Sequence, residues 1–185
     1  MKPIGLLMKE HRLIERMVGP IRESIRRMRE TGEVRPVFVD TAVDFIRTYA
    51  DRCHHGKEED ILFRDLKKKS LSDEHRRVME DLIEEHVYAR KTVARMMAGK
   101  ERYLHGDAEA VKYVMECMHE LLEFYPRHIE KEDKHFFIPV MEFFSDDEQA
   151  RMLEECYEFD RTVIHEHYAD VMNRLEAAMS SGEGG

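Results

Sequence analysis

A ten-residue segment occurs twice in this chain. HHGKEEDILF (His54 to Phe63) aligns without gaps with HIEKEDKHFF (His128 to Phe137), 74 residues further on. His54 falls on His128, Lys57 on Lys131, Glu58 on Glu132 and Phe63 on Phe137, while His55 falls on Ile129. A fainter match joins KEHRLIERM (Lys9 to Met17) to EEHVYARKT (Glu84 to Thr92) at an offset of 75, which sets His11 on His86. The chain therefore reads as two like halves. Each has a histidine on its first element and His-x-x-x-Glu on its second.

Apolar residues recur at helical spacing almost throughout, and no segment alternates as a strand would. Helix A is expected from about Ile4 to Glu30, interrupted at Gly19-Pro20 because proline cannot continue the ladder. Pro36 opens helix B, which runs to about Lys69. Ser72 caps helix C, which reaches about Arg102, and Asp107 caps helix D, which carries Pro126 inside it and should kink there. Ser145 and Glu148 form a capping box for a fifth helix, E, reaching about Ala178. Residues 180–185, SSGEGG, are expected to be disordered. The expected fold is all-α: an up-down-up-down four-helix bundle over about 4–144 with an additional C-terminal helix over about 146–178, in a single domain of residues 1–179.

Helical spacing puts His54 and Glu58 on one face, and His128 and Glu132 on another. The levels also match. His11 and His54 stand roughly 32 and 27 Å from the A/B turn, and Glu58 and His86 roughly 18 and 21 Å from the B/C turn, at the α-helical rise. His11 shares its face with Leu7, Ile14 and Val18, and His86 with Leu82, Ala89 and Val93. His55 and Glu59, by contrast, share a face with Asp51 and read as a solvent-exposed pair. Eleven histidines are an excess for 185 residues. Buried carboxylates need a counter-charge, and a shared dication would supply it. Four imidazoles and two carboxylates suit a pair of first-row metals, iron before magnesium or calcium, with zinc and manganese as alternatives. Coordination positions remain for a bridging oxo or hydroxo group and a small exogenous ligand.

The pattern His, His-x-x-x-Glu, His, His-x-x-x-Glu resembles the hemerythrin-like (HHE cation-binding) family, with HHGKEEDILF and HIEKEDKHFF as its characteristic segments. The resemblance implies a four-helix bundle around a non-haem di-iron centre bridged by carboxylates. It implies His11, His54, Glu58, His86, His128 and Glu132 as metal ligands. The chain departs from the oxygen carriers of that family. Those have His-x-x-x-His on the third helix, where Leu82 and Arg90 flank His86 here, and their last carboxylate stands five residues after its histidine rather than four. A more open and reactive centre is implied, one that binds or reacts with O2, peroxide or NO in oxygen or redox sensing or a stress response. The alternative is a metal-binding helical protein for iron storage, delivery or iron-centre repair without catalysis of its own. Tyr49, Tyr125, His165 and His167 are candidates for a further ligand.

Other classes are weaker. The net charge of −9 gives no broad basic footprint for nucleic acid. No apolar run approaches the roughly 20 residues of a membrane span, so a cytoplasmic protein is the default. Cys53, Cys117 and Cys156 stand alone and read as reduced thiols. Glu-x-x-His occurs as Glu116/His119 and Glu132/His135, but both lie on helix D, whereas a ferritin-type site needs the motif on two helices. Three roles are open to helix E: capping the bundle, covering the entrance to the centre, or building a homodimer contact.

Overall fold

The computed structural model describes residues 2–181, with side chains along the last helix described to Val163 and again at His167. All regular structure among these residues is helical. The order is α1 (Pro3–Glu15), α2 (Val18–Thr31), α3 (Pro36–Phe45), two π-helical segments (Ile46–His55 and Glu58–Phe63), α4 (Arg64–Leu66), α5 (Asp73–Leu104), α6 (Ala110–Lys131), a π-helical turn (Glu132–Phe136), α7 (Phe137–Val140), a 3-10 turn (Met141–Phe143) and α8 (Asp146–Ser181).

The caps explain most boundaries. Pro36 occupies the first turn of α3, where its missing N–H costs nothing. Ser72 Oγ accepts the His75 N–H at 3.2 Å. Ser145 and Glu148 make the expected reciprocal box: the Ser145 N–H donates to Glu148 Oε2 at 2.9 Å and the Glu148 N–H to Ser145 Oγ at 3.3 Å. Gly32 closes α2 in the left-handed region, at φ 69°.

Three boundaries differ from expectation. The break in the first rod falls at Arg16–Met17, not at Gly19-Pro20. Pro20 sits in the first turn of α2, and its ring conflicts with the carbonyl four residues earlier, so the ladder breaks one turn upstream. The second rod ends at Leu66 rather than Lys69. α6 begins at Ala110 with Glu109 as its N-cap residue, yet Asp107 still accepts the Glu109 N–H at 3.1 Å. α6 continues through Pro126. In the expected tail, α8 reaches Ser181, and residues 182–185 lie outside the described residues.

The apolar core forms two clusters. One contains Ile14, Ile21, Ala50, Val93, Leu121 and Tyr125. The other contains Leu7, Ile61, Phe63, Leu82, Phe136 and Phe137. Each predicted ligand histidine lies in sequence between a member of one cluster and a member of the other: His11 between Leu7 and Ile14, His54 between Ala50 and Ile61, His86 between Leu82 and Val93, His128 between Tyr125 and Phe136. The polar layer is thus closed at both ends by hydrocarbon. α8 packs on α1 and on both π segments of the second rod. One close approach is at Gly56, where a Cβ would stand 2.8 Å from the Phe159 ring.

Candidate metal centre

His11, His54, Glu58, His86, His128 and Glu132 are all buried and converge in that layer. Glu58 stands between two histidines, with Oε1 3.4 Å from His54 Nε2 and Oε2 3.3 Å from His86 Nε2. Glu132 does the same for another pair: Oε2 is 3.1 Å from His11 Nε2, and Oε1 is 3.3 Å from His128 Nε2 and 3.8 Å from His86 Nε2. Each carboxylate therefore offers one oxygen to a His11/His54 half and the other to a His86/His128 half.

None of these four Nε2 atoms or four carboxylate oxygens has a hydrogen-bond partner. Buried polar atoms are rarely left so, because each forfeits its solvation. A shared cation resolves the cost, and the spacing suits it: two donors at about 2.1 Å from one ion, at right angles to each other, lie roughly 3.0 Å apart. The donor set therefore fits metal.

The outer nitrogens are, in contrast, fully engaged. His11 Nδ1 lies 2.8 Å from Asp133, His54 Nδ1 2.9 Å from Glu10, His86 Nδ1 2.7 Å from Glu59 and His128 Nδ1 2.8 Å from Glu85. Such carboxylates fix the ring and aim the inner nitrogen, as around bound metals. They also obey the repeat. Glu10 holds His54 and Lys57, and Glu85 holds His128 and Lys131. Asp133 holds His11, and Glu59 holds His86. Burial by itself would lower the histidine pKa values. The Asp133 and Glu132 carboxylates outweigh it at His11, pushing it up to about 10, and Glu132, Glu58 and Glu59 push His86 up to about 11. Against the opposing effect of burial, the surrounding imidazoles hold Glu132 well below the usual carboxylate range.

The exposed pair expected at His55 and Glu59 is not found. His55 is 1% exposed, and its ring stacks on His86 at 3.8 Å between centroids. Glu59 bonds His86 and Arg90. The cause is local winding. Residues 46–55 are π-helical, and the wider turn rotates less per residue, so His54 and His55 both face inward. A face assigned at 3.6 residues per turn cannot reveal that. Burial, followed by the neighbouring imidazoles, drives the His55 pKa well below its ordinary value and keeps the ring neutral.

Two groups of donors could each hold an ion: His11, His54, Glu58 and Glu132, and His55, Glu58, His86 and His128. A third, Glu10, Cys53 and Asp160, is already occupied by the Lys57 ammonium, which bonds all three. Of the further ligands suggested by the sequence, Tyr125 is buried and lines a cavity with His55, while Tyr49 and His167 line a groove with Cys53 and Asp160. The side chain of His165 lies outside the described residues.

An all-helical domain with a buried cation site of imidazoles and carboxylates is the class this structure defines. The family model of the Hemerythrin HHE cation binding domain matches residues 2–138. The chain belongs to that family. No curated protein and no solved structure matches it significantly. Among the described residues no helix is long and apolar enough to cross a membrane.

Proposed function

We propose that the chain is a cytoplasmic non-haem di-iron protein that binds or reacts with O2, peroxide or NO. In this reading α1 with α2, the second rod, α5 and α6 form an up-down-up-down four-helix bundle. His11 and His54 would hold one ion and His86 and His128 the other, with Glu58 and Glu132 each offering one oxygen to either side. The observation that carries the reading is the set of eight inward donor atoms without partners, divided between two halves by two carboxylates. Two bound iron ions would supply electrons and open coordination positions for a small ligand. The protein's part is to orient the imidazoles through their outer carboxylates, to neutralise the ions with Glu58 and Glu132, and to exclude bulk water with the two apolar clusters. Nitrogen-rich donors favour iron over oxygen-seeking cations.

Metal analysis and optical spectra of protein prepared without oxygen test this. The expected result is two irons per chain, with absorption bands after oxidation that change on adding azide, peroxide or NO. Tightly held zinc with no redox response would overturn it in favour of metal storage or delivery.

A further inference from the structure

His55 has no counterpart in the second half of the repeat, where Ile129 holds the equivalent position. It is nonetheless as buried as the paired histidines, and one of its ring nitrogens lies within 4.8 Å of donor atoms of Glu58, His86 and His128. Its outer side is poorly tied. Nδ1 lies 3.4 Å from Asp51 Oδ1, against 2.7–2.9 Å for the other four rings. That same Asp51 oxygen already accepts from Arg90 Nε at 2.7 Å. A contact of that length is a weak hydrogen bond. Packing, more than a carboxylate, keeps this ring in place.

His55 also lines a cavity of about 180 Å³, which takes its inner walls from Ile46, Ala89, Val93 and Tyr125. Exposed Arg47 and half-buried Arg90 stand at its outer side. The volume suits one small ligand or a few waters. The Tyr125 hydroxyl is buried and has no hydrogen-bond partner. A buried donor without an acceptor requires a reason. Three observations therefore meet at one place: an extra imidazole loosely held, a space beside it, and an unused donor on a residue that lines that space.

We propose that His55 is a seventh, displaceable ligand of the His86/His128 half, and that a small anionic or diatomic ligand entering this cavity takes its place, with the Tyr125 hydroxyl donating a hydrogen bond to it. This rests on the reading that the centre holds two metal ions. The exchange moves no net charge onto His55. In such an exchange the imidazole would leave with the electron pair of its nitrogen, and a lone pair of the incoming ligand would take the vacated position. Neither proton nor electron transfer is needed.

Cobalt(II)-loaded protein tests the proposal without reference to redox activity, with azide as the incoming ligand. Crystals without azide should show His55 on the metal; crystals with azide should show azide in the cavity and His55 detached. Tyr125→Phe should weaken azide binding roughly five- to tenfold, the loss of one neutral hydrogen bond, with cobalt content unchanged. His55→Ala should weaken binding of one of the two cobalt ions, the one at the His86/His128 half, by about tenfold or more, a loss at least as large as that of an outer partner. Should that variant fail to fold, His55→Gln and the wild-type crystals decide. His55 off the metal in the azide-free crystal overturns the inference, as does an azide affinity indifferent to Tyr125→Phe. A chain that takes up no cobalt, or only one ion, sinks the dinuclear reading itself.

Discussion

The two lysines related by the repeat allow one chemistry to be compared at two depths. Lys57 is fully buried; its ammonium bonds Glu10 and Asp160 and lies 3.5 Å from Cys53 Sγ. Lys131 makes the equivalent bond to Glu85, but both partners are about a third exposed, at 32% and 30%. The difference is α8, which brings Asp160 onto the Lys57 ammonium. Lys57→Met keeps the volume but strands the buried Glu10 carboxylate with His54 as its remaining partner. Breaking a buried pair costs about 3–5 kcal/mol, and the lower end applies because His54 stays. Lys131→Met breaks a solvent-screened pair, worth about 0.2–1 kcal/mol. With a urea dependence of roughly 1–3 kcal/mol per molar, Lys57→Met should lower the unfolding midpoint by about 1–2 M, several times the shift of Lys131→Met. The assay is equilibrium urea unfolding of metal-free protein, followed by circular dichroism. Equal shifts in the two variants would refute the reasoning, since they would mean that depth under α8 does not govern the strength of the pair.

Other expectations follow from the same contacts. Glu85→Gln should lower metal affinity about 10–100-fold by loosening His128, measured by competition with a chelator of known affinity; unchanged affinity would mean the outer carboxylates do not orient the rings. Adding zinc to metal-free protein should raise its thermal midpoint, by about 2.7 kcal/mol of stabilisation at a hundredfold excess over the dissociation constant. A midpoint indifferent to metal would contradict the reading of the unpartnered donors. Gly99→Ala should cost about 1–3 kcal/mol in a denaturant melt, because its Cβ would stand 2.8 Å from both Tyr113 and Val114 across the α5/α6 contact.

The helical rods and the six inward residues were legible because both follow fixed periods. The i, i+4 spacing of His54 and Glu58 survives the local winding, and the gap-free repeat separates that pair from its neighbours. What escaped the sequence lies where the period changes or where contacts are long-range. The inward turn of His55 depends on the π-helical stretch over 46–55, which no 3.6-residue wheel contains. The roles of Glu10, Asp133, Glu59 and Glu85 depend on contacts between rods, and without those contacts charged residues look like ordinary surface. A signal was nonetheless present: Glu10 and Glu85 each precede an aligned histidine, and Glu59 and Asp133 each follow an aligned glutamate.

The repeat would by itself yield two equal halves, yet the chain makes them unequal in two independent ways. α8 is laid over the first half, where Gly56 admits Phe159 and Lys57 is sealed by Asp160. On the other side, His55 replaces the aliphatic side chain of its counterpart and opens onto a cavity that Tyr125 also lines. Glu10 links the sealed side to the centre, since the same carboxylate binds His54 and Lys57. The His11/His54 half is therefore braced by buried charge, while the His86/His128 half has an imidazole held mainly by packing. A ligand entering from solvent would meet less resistance at the second. The inequality between halves, more than the six residues they share, would decide where a small molecule binds.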